Sequence, residues 1–231
     1  MEKSTVKPWP LWDLPTRLGH GLFIAALLLA WWSAETQRTD LHEWTGYVIL
    51  VLVVSRLVWG IVGSKHSRFA TFLKSPPAAF NYLLSSAKER SESAIDNKVV
   101  GHNPAGGWSV VLMLSLLLLQ AVSGLFNSDD ILFSGPFYHL VESDWQDRFG
   151  VVHDYAFNAL IICISLHVMA VLFYTYRGKK LIVPMIRGGA ADRYSDEAPK
   201  PSWRWLAILL IVALALWAAV QSAPQPSNQW F

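Results

Sequence analysis

Five apolar segments, at about residues 17–34, 43–62, 108–126, 151–174 and 203–221, constrain this chain more than any other feature. Each approaches the roughly 20 residues an α-helix needs to cross a bilayer core. In hydrocarbon every backbone N–H and C=O must be satisfied within the chain, so such segments form helices rather than open strands or loops. Hydrophobic residues make up 53% of the 231, more than an ordinary soluble domain carries. Many tryptophans, among them Trp9, Trp12, Trp31, Trp32, Trp59, Trp108, Trp203, Trp205 and Trp217, lie near segment ends, as interfacial aromatic belts do. The first segment reads as a full span rather than a cleaved signal, because it is long enough to cross and carries His20.

The basic residues orient these spans. The connection 63–107 carries Lys65, Arg68, Lys74, Lys88, Arg90 and Lys98. The connection 175–202 carries Arg177, Lys179, Lys180, Arg187, Arg193 and Lys200, and the N-terminal stretch carries Lys3, Lys7 and Arg17. The opposite side holds Arg38 and Arg148 against Glu35, Asp40, Glu43, Asp129, Asp130, Glu142, Asp144 and Asp147. The N-terminus is therefore expected inside and the C-terminus outside. Connection 63–107, with Pro76-Pro77 and a polar stretch at 85–98, reads as a surface loop with one short interfacial helix. Within it, Asn103-Pro104 reads as a helix entry.

Histidine spacing then points to chemistry. His153 and His167 are fourteen residues apart in one apolar segment. Fourteen helical residues rise about 21 Å and return to within about 40° of the starting direction. Both imidazoles thus leave one face at opposite depths, where histidines are rare and usually functional. His20 precedes the outer end of its span by the same interval, and His42 opens the second span. Alternating span directions put His20 and His167 near the cytoplasmic side, and His42 and His153 near the outer side. Two imidazoles from facing helices fill both axial positions of a low-spin haem, which favours electron transfer over oxygen chemistry. The single cysteine, Cys163, cannot form an internal disulfide, and no C-x-x-C-H is present, so the haems would be non-covalent and b-type. Gly19, Gly21, Gly46 and Gly124 lie near the expected haem depths, where small residues admit a flat macrocycle or simply pack helices. Arg17 and Arg56 stand near the cytoplasmic ends of the first two spans, suited either to neutralising haem propionates or to snorkelling to headgroups. His66, His102 and His139 fall in loops and read as solvated or hydrogen-bonded.

The run WDLPTRLGH at 12–20 resembles the first span of the bacterial cytochrome b561 family, which includes hydrogenase cytochrome b subunits. LHEWTGYVILVLVVSRLVWGIVG at 41–63 is similar to its second span, and VHDYAFNALIICISLH at 152–167 to its fourth-span histidine pair. SKHSRFATFLKSP at 64–76 and GHNPAGGW at 101–108 resemble its cytoplasmic loop motifs. Gly21 departs from the tryptophan that often follows the first histidine there, and the span 203–221 lies beyond the family's four-helix core.

The resemblance implies an all-α integral membrane four-helix bundle that binds two haem b through His20, His42, His153 and His167. A fifth C-terminal transmembrane helix follows. Residues 1–190 would form the di-haem domain and residues 191–231 a linker, the fifth helix and a short periplasmic tail. A multi-pass protein of the bacterial inner membrane is implied, exchanging electrons with ubiquinone or menaquinone. Its partner would be a periplasmic c-type cytochrome or an attached oxidoreductase subunit; nucleic acid is not among its partners. Direct oxidation of a small substrate such as superoxide, and a haem-bearing anchor role for a hydrogenase or dehydrogenase, stand as alternatives. The acidic outer side favours a basic protein partner over an anion.

Overall fold

The computed structural model of the chain describes residues 9–88, 102–128, 133–188, 194–195 and 197–223. The elements run β1 (Trp9–Pro10), α1 (Leu14–Glu35), α2 (Thr39–Val62), α3 (Phe69–Phe72), α4 (Pro76–Lys88), α5 (Pro104–Gly124), α6 (Ser143–Tyr176), α7 (Ile182–Arg187), β2 (Tyr194–Ser195) and α8 (Ser202–Gln221). Helices α1, α2, α5, α6 and α8 are long and apolar enough to cross a membrane. The chain is thus an all-α integral membrane protein, with only short antiparallel pairings beside the helices among the described residues. Trp9 and Pro10 pair antiparallel with Ser195 and Tyr194.

Every span is longer than its apolar run. The largest difference is in α6, which begins at Ser143, eight residues before the apolar segment at 151. Asp144, Asp147 and Arg148 make these first turns amphiphilic, so hydropathy ends before the helix does. Similarly, α2 starts at Thr39, which places His42 within its first turn. The described residues of connection 63–107 include the helices α3 and α4. Phe80 and Leu84, one turn apart on α4, form an exposed apolar edge of the kind a helix at a membrane surface needs.

Two compact units make up the chain, the first comprising Met1–Leu18, Leu57–Leu112 and Ser165–Trp205. Its core is organised around Asp13, which is 3% exposed, and Trp59, which is 0% exposed. Asp13 caps α1 by accepting the Thr16 amide N–H at 2.9 Å, and its second oxygen accepts the Trp59 indole N–H at 2.9 Å. Ser64 adds a third donor, from its side chain. The Thr16 and Ser67 hydroxyls meet at 2.8 Å, and Lys65 pairs with Glu197 at 3.2 Å. Gly60 admits the Phe69 ring, since a Cβ at position 60 would lie 2.1 Å from it.

The second unit comprises Gly19–Arg56, Met113–Ile164 and Leu206–Phe231. Here Val53, Ser33, Ser55 and Ser123 are the most deeply buried side chains. Helix α8 joins this unit through Trp217, whose ring stacks on Trp44 of α2 with centres 6.3 Å apart. That contact anchors a span for which hydropathy alone suggested no role.

Candidate functional site

The second unit brings His42 and His153 together. Their ring centres are 6.3 Å apart and their planes are crossed at 77°. Each imidazole is oriented by a main-chain carbonyl of the preceding helix. His42 Nδ1 lies 2.9 Å from the Ala30 carbonyl oxygen of α1. His153 Nδ1 lies 3.0 Å from the Gln120 carbonyl oxygen of α5. A carbonyl only accepts, so both rings carry their proton on Nδ1 and leave a lone pair on Nε2. On His153 that lone pair accepts from the Gln120 carboxamide nitrogen at 2.9 Å, while Gln120 Oε1 is buried without a donor.

This arrangement fits an iron held between two imidazoles. Rings bound on opposite sides of one metal, each through a nitrogen at about 2 Å, have centres roughly 6 Å apart. Carbonyl acceptors on the far ring nitrogens are the usual supports of metal-binding histidines. Gly46 stands one turn beyond His42, and a Cβ at that position would meet no heavy atom within 4 Å, which leaves room for a flat group. Gln120 has the side-chain torsions to turn its carboxamide away from Nε2.

Gly124 acts differently from the sequence expectation. A Cβ there would lie 3.0 Å from His153 Cε1 and 3.4 Å from Nδ1, so this glycine admits the imidazole itself rather than a macrocycle. Gly124→Ala should push the ring off the Gln120 carbonyl at an overpacking cost of about 1–3 kcal/mol. Reduced haem retention at this centre, read from absorbance per chain after purification, is the expected result. Retention equal to the parent protein would mean that the ring seats without Gly124.

His20 belongs to the second unit and His167 to the first, and both are half-buried. Arg17, in the first unit, has a task that its sequence position did not reveal. Its Nη2 donates to the Ile186 carbonyl at 2.6 Å, capping the last turn of α7, while its Nε is buried without a partner among the described residues. Gly188 closes α7 with φ of 91° beside that guanidinium. Arg56 is half-buried on α2. Asn103 accepts the Gly106 amide N–H at 2.6 Å and so caps α5, as its place before Pro104 predicts. His102 is held between Trp12 and Phe72, with ring centres 4.7 Å from each.

The described acidic side chains expected outside all belong to the second unit. Glu35, Asp40, Glu142, Asp144 and Asp147 are exposed. Glu43 is half-buried and accepts the Tyr47 hydroxyl one turn on, which withdraws it from the open surface. Arg38 lies over the Trp32 ring and Arg148 over the Trp145 ring, each about a ring's breadth away at 5.3 and 5.0 Å. Asp129 and Asp130 lie outside the described residues, as do Lys3, Lys7, Arg90, Lys98 and Arg193.

Among the described residues, five membrane-length helices define a multi-pass helical membrane protein, in which one imidazole pair is held by main-chain acceptors. The family profile of prokaryotic cytochrome b561 matches residues 11–188, and the chain belongs to that family. Membrane electron transfer on b-type haem is the activity that membership carries. The chain matches no curated protein and no solved structure.

Proposed function

We propose that this protein is a di-haem b-type cytochrome that moves electrons between the membrane quinone pool and a redox protein on its outer face. Residues 1–190 carry both haems, and 191–231 add the fifth helix, with the N-terminus cytoplasmic and the C-terminus periplasmic. One haem is held by His42 and His153, the other by His20 and His167. Arg17 and Arg56 neutralise propionates on the cytoplasmic side, with the unpartnered Nε of Arg17 as one donor. The observation that carries this reading is the His42–His153 pair, with ring centres 6.3 Å apart and both Nδ1 atoms on carbonyls. When bound, the haem supplies a one-electron carrier. The chain supplies the imidazole lone pairs, their orientation and a low-dielectric wall.

The outer partner is a basic protein, most simply a c-type cytochrome. Glu35, Asp40, Glu142, Asp144 and Asp147 present a single sign of charge, and the two arginines near them are stacked on tryptophans. Opposite charges raise encounter rates more than affinity, and salt screens them over about 8 Å at physiological ionic strength. Stopped-flow oxidation of the reduced protein by a basic cytochrome should slow steadily as salt rises. Replacing Glu142, Asp144 and Asp147 with their amides should flatten that dependence and leave the haem spectra unchanged. Superoxide as direct substrate would respond with the opposite sign, since removing carboxylates helps an anion approach. A flat salt response with the cytochrome, together with fast superoxide oxidation, would transfer the assignment to the small substrate. An enzyme subunit held permanently would show itself by co-purification and no salt dependence.

A further inference from the structure

We propose that Ser33 and Ser123 are positioning residues for the two imidazoles of the His42–His153 centre, and that through them the closing turns of α1 and α5 set its reduction potential. The proposal rests on reading His42 and His153 as axial haem ligands.

The same device occurs twice. The Ala30 carbonyl that receives His42 Nδ1 also accepts the hydroxyl of Ser33 at 2.9 Å, three residues on. The Gln120 carbonyl that receives His153 Nδ1 also accepts the hydroxyl of Ser123 at 3.1 Å, again three residues on. Both serines are sealed from solvent, at 0% and 1% exposure. Hydroxyls bond back to helix carbonyls elsewhere in the spans, as at Ser109 and Thr175. Ser33 and Ser123 differ in that the carbonyl they hold also receives a histidine. Each device lies near the C-terminal end of its helix and serves a histidine on the next membrane-length helix of the chain: α1 serves α2, and α5 serves α6.

A back-bonded hydroxyl tilts its carbonyl away from the helix axis and bends the helix locally. Tilting aims the oxygen at an approaching imidazole N–H. A stronger acceptor on Nδ1–H makes Nε2 more basic, and a more basic axial ligand favours the ferric state. Ser123 contributes twice, because its own oxygen lies 3.2 Å from His153 Nδ1 and shares that proton with the Gln120 carbonyl. Removing either hydroxyl should therefore raise the potential, and Ser123 should matter more.

The test is a redox titration of the purified haem-loaded protein, with low-spin g values and haem content recorded on each variant. Ser123→Ala removes one atom. It should raise the midpoint of this haem by about two- to tenfold in the reduction equilibrium constant, the range a single hydrogen bond spans. The upper end corresponds to about 59 mV for a one-electron couple. Ser33→Ala should move it the same way by less, Ser123→Thr should restore it, and the second haem should not respond. Ser55→Ala is the control. Ser55 is 0% exposed and has no hydrogen-bond partner among the described residues, so its loss should leave the midpoint where it was. A midpoint that stays or falls in Ser123→Ala at full haem content overturns the proposal and leaves the proposed function intact. Full haem retention in both His42→Ala and His153→Ala would instead remove the reading on which it rests.

Discussion

On the proposed assignment, His153→Ala is expected to lower the haem content from about two per chain to about one, because the haem it would hold loses one of its two histidines. The deletion also strips the Gln120 carbonyl and the Ser123 hydroxyl of the ring they orient. His42→Ala should damage the same spectral component, since its ring centre lies 6.3 Å from that of His153. His20→Ala and His167→Ala should together damage the other component. Acid-acetone extraction followed by pyridine haemochrome quantitation measures content and shows whether the haems are non-covalent. Optical or EPR spectra of the four variants sort them into pairs. A parent stoichiometry near one, or His20→Ala and His153→Ala perturbing the same component, would contradict the two-pair arrangement.

Asp13→Ala is expected to destabilise the first unit by about 2–4 kcal/mol, combining a lost N-cap with a buried donor left unpaired. The unpaired donor is the Trp59 indole N–H, on a residue 0% exposed. Asp13→Asn keeps one carbonyl oxygen and should lose less. Thermal unfolding in detergent, followed by helical circular dichroism, measures both. The same carboxylate makes stability depend on pH. Burial pushes its pKa up, but hydrogen bonds from Ser64, Thr16 and Trp59 outweigh that and hold it below the ordinary value of 3.8. A depressed carboxyl contributes stability that is fully present above the ordinary carboxylate range. That contribution fades as pH falls through the lower folded-state value. Acid destabilisation should accordingly be shallower in Asp13→Asn than in the parent. An Asp13→Ala protein that melts with the parent would show that the cap and the indole contact carry no net stability.

Much of the fold was legible because hydrocarbon allows so few solutions. The spans announced themselves, and alternating span directions put His42 and His153 at the same depth, which suggested that they would meet. Helix ends were less legible. The first turns of α6 carry Asp144, Asp147 and Arg148, which read as loop by hydropathy yet are helical. Arg17 read as a propionate partner or a headgroup contact; its tie to Ile186 depends on α7, a six-residue helix 169 positions away in sequence. Glu43 counted toward an acidic surface by composition, but Tyr47 engages it one turn along α2.

By itself the sequence determined what local chemistry and solvent decide: helices where backbone must satisfy itself in lipid, and histidines at two depths. Asn103 before Pro104, where a helix has to begin, belongs with them. Tertiary structure alone decided which carbonyl meets which imidazole. Ala30 and Gln120 are chemically unlike, and neither side chain advertises an acceptor for a histidine, because the acceptor is the backbone that every residue shares. Ser33 and Ser123 stand out only once the carbonyls they hold are seen to face histidines from the next membrane-length helix. Gly124 likewise has meaning only through the ring that a Cβ would strike. Such contacts depend on helix rotation and depth to within an ångström, and those are set by packing across the whole unit rather than by any local pattern.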